Sequence, residues 1–320
     1  MTNSPQAESK VDLVGVGLNA TDMLVPLAVY PTLGSKVEYR TATILPGGQV
    51  ASTVMACQQW GLKTRYVGKL GNDSFAKLHQ AAFSGAGVEA QIITAPEGSS
   101  PQSIILVDPN GERTVLCQRD PRLLLQPGEL RREWIENARA LHVDGFETAA
   151  ATQAAQWARA AGIPVIADID EAYTGVELLL ENVDYMIASR DFPCRLMQEP
   201  SLEAALRKMH ERYGHSLSAA TLGEEGVLAW DGHEFHHARA YRVPVVDTTG
   251  AGDTFHAGFI YGFMRGWPLQ RQLDFACAAA ALNCTGQGAR HIQSLETIEK
   301  LIAVGDRYPA PVLTNSTIFV

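Results

Sequence analysis

The segment with most chemical promise spans 245–259, where an apolar Val-Val pair runs through Asp247-Thr248-Thr249 into Gly250-Ala251-Gly252-Asp253-Thr254-Phe255-His256. A Gly-Ala-Gly turn between a strand and a helix lines up successive backbone N–H groups. They form a nest for an anion, and the positive end of the helix strengthens it. Small residues there let a phosphate approach the backbone closely. The pattern predicts a strand over 242–245, a turn at Gly250, Ala251 and Gly252, and a helix from about Asp253. A carboxylate next to bound phosphate is costly without a role. General base is the role that fits: Asp253 takes the proton of an attacking alcohol as a phosphoryl group arrives. The plainer alternative is a helix cap worth about 1 kcal/mol. The flanking glycines and repeated threonines favour chemistry.

Such a turn needs a rigid frame. Apolar runs at 11–17, 64–68, 90–94, 140–144, 165–168, 185–188 and 219–222 read as strands. Helical patterns at 50–60, 74–86, 148–161, 201–213, 254–265 and 269–285 alternate with them. Alternating βα units predict a doubly wound α/β domain, a mostly parallel sheet with helices on both faces. Two stretches, 23–45 and 103–118, break the alternation with β-rich segments and turns. Pro109-Asn110-Gly111 between two apolar runs is a hairpin signal. These excursions, about 22–46 and 98–119, predict a small β-sheet lid that keeps water from reactive phosphate. One α/β domain over 11–320 is expected to follow a polar, disordered tail over 1–10.

At these residues the chain resembles the ribokinase, or pfkB-type, carbohydrate kinases, with some ketohexokinase-like features at 275–286. Asp247-Thr248-Thr249-Gly250-Ala251-Gly252-Asp253-Thr254-Phe255 is similar to that family's C-terminal signature. Gly68-Lys69-Leu70-Gly71-Asn72-Asp73 resembles its Gly-Asp-Asp segment, and Thr221-Leu222-Gly223-Glu224-Glu225-Gly226 its nucleotide-side turn. The resemblance implies ATP-dependent phosphorylation of a hydroxyl on a sugar-like molecule, with Mg²⁺ and K⁺ as cofactors. It implies acceptor contacts at Asn19, Asp22, Gly47, Gly48 and Ser52, with Arg113 from the lid. Nucleotide contacts fall on Ser189, Thr221, Gly223, Gly226, Cys277 and Asn283, and a monovalent cation on Asp247, Thr249 and Gly288. Asp22 can accept two hydrogen bonds from a vicinal diol. A homodimer through the lid strands is also implied, since an open β edge invites pairing.

Three departures bear on the acceptor. Ser52 stands where the family usually has Asn, with Gln49 as possible compensation. Ser189-Arg190-Asp191-Phe192 lacks the family's Glu, which Asp191 would replace through water on Mg²⁺. A ribokinase-like Lys after the Gly-Gly turn is missing. Alternatives are a nucleoside or sugar phosphate as acceptor, which would make Arg113 or Arg119 important, and a non-catalytic sensor of sugar and nucleotide.

Other motifs compete less well. Gly15-Val16-Gly17-Leu18-Asn19-Ala20 loosely fits a dinucleotide fingerprint, but Pro26, Pro31 and Gly34 oppose the helix that must follow. His233-Glu234-Phe235-His236-His237 matches a zinc motif in letters only, because Trp230-Asp231-Gly232 reads as a hairpin turn and the motif requires a helix. Gly68-Lys69 is followed by Leu70, so there is no P-loop. His142, Asp144 and Asp168 fall at strand C-terminal ends, where α/β sites gather.

The net charge of −9, without a basic run, argues against nucleic acid or anionic membrane as the main partner. No apolar run reaches the roughly 18 residues of a membrane span. With no signal peptide recognisable in the polar start, a cytoplasmic location is expected. The five cysteines are scattered, without a CxxC pair, and read as reduced thiols.

Overall fold

The computed structural model describes residues 10–309, so the expected tail lies outside the described residues except for Lys10. The chain opens with β1 (Val11–Val16), β2 (Ala20–Pro26), β3 (Thr43–Gly47), α1 (Gln49–Gln59), β4 (Thr64–Leu70), α2 (Ser74–Ala86) and β5 (Glu89–Thr94). Then come β6 (Gln102–Val107), β7 (Arg113–Gln118), α3 (Arg132–Glu136), β8 (Ala138–Asp144), α4 (Thr148–Ala160), β9 (Val165–Ile169), α5 (Val176–Leu180) and β10 (Tyr185–Ser189). The last part holds α6 (Asp191–Met197), α7 (Leu202–Tyr213), β11 (Leu217–Thr221), β12 (Val227–Trp230), β13 (Phe235–Ala238), α8 (Ala251–Met264), α9 (Leu269–Asn283) and α10 (Leu295–Val304).

The nine-stranded main sheet has the order β13-β12-β11-β10-β9-β8-β1-β4-β5. It is parallel except for the β11–β12–β13 meander. Its central strands are apolar on both faces, as a sheet covered on both sides requires. Alternation along each strand divides the core. Leu13, Ile166 and Ile187 pack with α1, α8 and α9, while Val14, Leu141 and Met186 pack with α4 and α7. Trp60, the C-cap of α1, meets Tyr261 of α8 and Phe275 of α9 edge-on, which fixes α8 against α1. Each such buried ring contributes about 1.5–3 kcal/mol.

From β1 the chain runs outward through β4 to β5, then returns to β8 on the other side of β1 and continues to β13. The strand order therefore reverses at β1. In open α/β sheets a ligand crevice forms there, off the strand C-termini. The two excursions make one small mixed sheet of order β3-β2-β6-β7. β2 pairs antiparallel with β3 and parallel with β6, and β6 pairs antiparallel with β7. Leu24, Ile105 and Val107 form its separate apolar cluster.

Two local expectations change. The strand expected over 242–245 is irregular backbone, and the neighbouring ordered pairing is the isolated Tyr241–Arg307 bridge. Pro244 has no N–H to give a ladder, and no described strand runs alongside. Helix α8 begins at Ala251, two residues before the expected start, with Gly250 as its N-cap. Asp253 thus lies inside the first turn and is not the cap. Short helices α3, α5 and α6 are too brief to show a 3.6-residue period in sequence.

Candidate active site

The Gly250-Ala251-Gly252 turn is held from behind. Gly250 has φ 77°, and a Cβ there would overlap the backbone of Ala289. Asp247 is buried, and its carboxylate accepts from Thr249 N–H at 2.9 Å and from Gly288 N–H at 2.8 Å. It thereby staples the turn to the loop after α9. Asn283 donates from Nδ2 to the Thr249 carbonyl at 2.8 Å. The first i to i−4 bond of α8 runs from Thr254 N–H to Gly250 O at 2.9 Å. The N–H groups of Gly252 and Asp253 precede it and belong to the open end of the helix. Gly252 itself is exposed.

Asp253 follows at the third helical position, partly exposed at the crevice. Its carboxyl is pushed up to about 8, first by burial and then by the charge of Asp168, with His256 and Arg113 opposing. Below it, His256 Nδ1 lies 2.8 Å from the Gly252 carbonyl and 3.6 Å from Asp168 Oδ2. Asp168, at the end of β9, also accepts from Gln49 Nε2 at 3.4 Å. Thr53 of α1 donates to the Asp253 carbonyl at 3.0 Å, tying the two helix starts together.

The residues expected to face the acceptor come from the loop after β1, from β2 and β3, and from the start of α1. Gly48 has φ 92° and caps α1, and a Cβ there would stand 2.6 Å from Ala20 N. A side chain on Gly47 would overlap Asp22, whose carboxylate covers that spot. Asp22 is buried and its carboxyl is raised to about 6 by burial, while Arg290 pulls the other way. Asn19 is buried with neither side-chain polar atom hydrogen-bonded among the described residues. Arg113 of β7 reaches across to the Thr248 carbonyl, and Thr248 Oγ1 donates to Gly111 O at 3.2 Å. The β6–β7 hairpin therefore rests on the turn that precedes α8.

The structure also brings in Arg290, which the sequence reading missed. Its Nη2 donates to the Gly47 carbonyl at 2.8 Å and its Nε to Ser52 Oγ at 3.4 Å. A lone arginine after a glycine-rich loop is usually solvated. The available signal was the paired glycines Gly286 and Gly288 ahead of it, which let that loop fold back under the Gly-Gly turn.

The expected nucleotide-side residues are spread along the neighbouring strand ends. Ser189 is exposed at the end of β10 and Thr221 ends β11, with its hydroxyl toward the Ala188 carbonyl at 3.4 Å. Gly223 and Gly226 bracket the turn into β12. Cys277 and Asn283 are buried within and below α9, and the Cys277 thiol faces the Ala238 carbonyl at 3.6 Å. Asp191 opens α6 as an exposed carboxylate, while Phe192 is fully buried.

Thr249 Oγ1 and Asn283 Oδ1 are buried without a hydrogen-bond partner among the described residues, close to Asp247. That all-oxygen set around Asp247, Thr249 and Gly288 fits a hard monovalent cation.

Arg119 stacks on Phe146 and Tyr173, with its guanidinium carbon 4.9 and 5.3 Å from the ring centroids. Asp144 accepts from Leu18 N–H at 2.7 Å and braces the loop after β1, and His142 lies in the core. The histidine-rich segment forms the β12–β13 hairpin. Asp231, Glu234 and His236 converge there, and His237 bonds the Glu225 carbonyl at 3.0 Å. Free cysteines Cys57, Cys277 and Cys284 are buried, Cys194 is half-buried and Cys117 is exposed. No helix among the described residues is long and apolar enough to cross a membrane.

The profile of the pfkB family of carbohydrate kinases matches residues 22–297. This chain belongs to the pfkB family. A 5-dehydro-2-deoxygluconokinase of Bacillus subtilis (strain 168) is 26% identical over 325 residues, covering 92% of this chain and 97% of that protein. Fructokinase-2 of Solanum lycopersicum is 27% identical over 289 residues, covering 81% and 86%. Among solved structures, an Arabidopsis thaliana ribokinase complexed with ribose and ATP superposes with TM-score 0.76 at 24% identity, covering 91% of this chain and 98% of that one. A Thermotoga maritima ribokinase gives TM-score 0.79 at 21% identity, covering 92% and 99%. These two likenesses support the ribokinase-like fold of this pfkB protein.

Proposed function

We propose that this pfkB protein transfers the γ-phosphoryl group of ATP to a hydroxyl of a sugar or sugar-like molecule, with Asp253 as general base. The observation that carries this is the placement of Asp253 one residue past Gly252, on the open end of α8 and within the field of Asp22. Asp22 and the backbone at Gly47 and Gly48 hold the acceptor hydroxyls, together with Asn19, Ser52 and Arg113. As the acceptor oxygen bonds to phosphorus and the bond from phosphorus to ADP breaks, the hydroxyl proton passes to the Asp253 carboxylate. The open N–H groups of the Gly250-Ala251-Gly252 turn and the start of α8, those of Gly252 and Asp253 among them, stabilise charge on the moving phosphoryl group.

ATP lies across Ser189, Thr221, Gly223 and Gly226, with Cys277 and Asn283 backing that region. Mg²⁺ bound with it would neutralise phosphate charge, and exposed Asp191 is a carboxylate that fits such a hydrated ion. K⁺ would sit at Asp247, Thr249 and Gly288. The small sheet acts as the lid. In the same reading the enzyme works in the cytoplasm, where its donor is abundant. It pairs through the exposed lid strands, where Leu116 of β7 is 53% exposed.

The test is Asp253→Asn. Turnover over a panel of sugars should fall by orders of magnitude, while ATP binding measured by calorimetry stays within a few-fold. Near-parental turnover in that variant would remove the base assignment. A phosphorylated acceptor would call on Arg113 or Arg119, of which Arg113 gives one nitrogen, Nη1, to the Thr248 carbonyl and Arg119 stacks on two aromatic rings.

A further inference from the structure

The loop after α9 places a cation where the acceptor reading alone asks for none. Arg290 has five N–H donors and no acceptor. Nη2 is engaged by the Gly47 carbonyl at 2.8 Å and Nε, weakly, by Ser52 at 3.4 Å. Nη1 is buried and has no hydrogen-bond partner among the described residues. The guanidinium acts on both Asp22 and Asp253, so it belongs to the acceptor end of the crevice. Phe83 covers it at 5.8 Å, and burial together with this cation keeps nearby His79 neutral.

We propose that Arg290 is a specificity-determining residue whose Nη1 donates to an acid oxygen of the acceptor, so that this enzyme selects sugar acids over neutral sugars. The proposal rests on the phosphotransferase reading for the site but not on its chemistry step. A hydroxyl both gives and takes hydrogen bonds, and Asp22 already serves the protons. A donor-only, permanently charged group beside it discriminates for an oxygen that only accepts, and a carboxylate makes the strongest such bond. The local charge agrees. Arg113 and Arg290 both act on Asp22, whose own ionisation is weakened by burial and by Asp247. A carboxylate on the acceptor therefore meets the Arg290 guanidinium, with Arg113 close by, against the weakened carboxyls of Asp22 and Asp253.

The test is calorimetric binding of matched pairs to the full chain: 2-keto-D-gluconate against D-fructose, and D-gluconate against D-glucitol. Each pair differs at one terminal carbon, carboxylate against hydroxymethyl. The wild type should bind the acid of at least one pair tenfold or more tightly than its neutral partner. Arg290→Met should bring the two within about twofold. Arg290→Lys keeps the charge but not the fork, so it should retain part of the preference, and it serves if Arg290→Met does not fold. Equal binding, tighter neutral binding, no measurable acid binding, or a preference that survives Arg290→Met would each overturn the proposal. Turnover with ATP separates the two claims. A bound acid that is never phosphorylated counts against the kinase reading and leaves Arg290 its role. Brisk turnover with neutral sugars preferred does the reverse.

Discussion

Asp253 shows how a single side chain is tuned by what surrounds it. A carboxyl pushed up to about 8 is mostly protonated at neutral pH, and a base must be ionised to accept a proton. The kcat/KM of the free enzyme should therefore rise with pH and level off above roughly pH 8. Asp168→Asn removes the second cause of that shift, so the acid limb should move to lower pH, and an unmoved limb would free Asp168 of this influence. Stability follows with a definite sign. The folded state raises the carboxyl above its ordinary 3.8 and so favours the protonated form. That contribution is present at low pH and is lost as pH rises through about 8. Asp253→Asn should then melt above the parent at about pH 9, with the gap closing toward about pH 5. Asp253 was legible because its neighbours are short-range and of restricted type. Arg290 was not: 268 positions separate it from Asp22 in the numbering, and its partners are a backbone carbonyl and a serine, which leave no motif.

At the scale of elements, the decisive part is the joint between the phosphate turn and the loop after α9. Gly250→Ala adds a Cβ at φ 77° against the Ala289 backbone. Strain of this kind costs about 1–3 kcal/mol, so a melting point lower by several degrees and a reduced kcat are expected together. Asp247→Asn turns one acceptor oxygen into a donor facing a backbone N–H. Activation by K⁺, measured against Na⁺ and Li⁺ at fixed ionic strength, should be present in the parent and absent in the variant. Equal activation in both would place the cation elsewhere. The alternating strands and helices and the 103–118 hairpin were legible, because period and turn residues are local signals. The irregular run before the turn was not. Its apolar residues, Val245 at 40% and Val246 at 46% exposure, look like a strand in sequence. In the fold they lie beside the Gly111 turn of the lid instead of in a ladder.

For the whole molecule, the small sheet meets the rest of the fold along a few seams. Arg113 and Thr248 provide one such seam, and Arg113→Ala should loosen it. The acceptor KM should rise, and ADP released without acceptor should increase as water gains entry. Unchanged values for both would show that closure does not depend on this contact. The parallel β2–β6 pairing is formed by segments far apart in the chain, over a cluster of three buried residues. Such a sheet gains little from its own interior and must close a long loop before β2 can pair with β6. Its amides should therefore exchange with deuterium well before those of β1 or β8, as one cooperative unit, and a tightly held acceptor should slow that exchange by clamping the unit shut. The four strands that seal the crevice would then double as its most easily melted part, with opening for substrate and local unfolding sharing one free-energy scale.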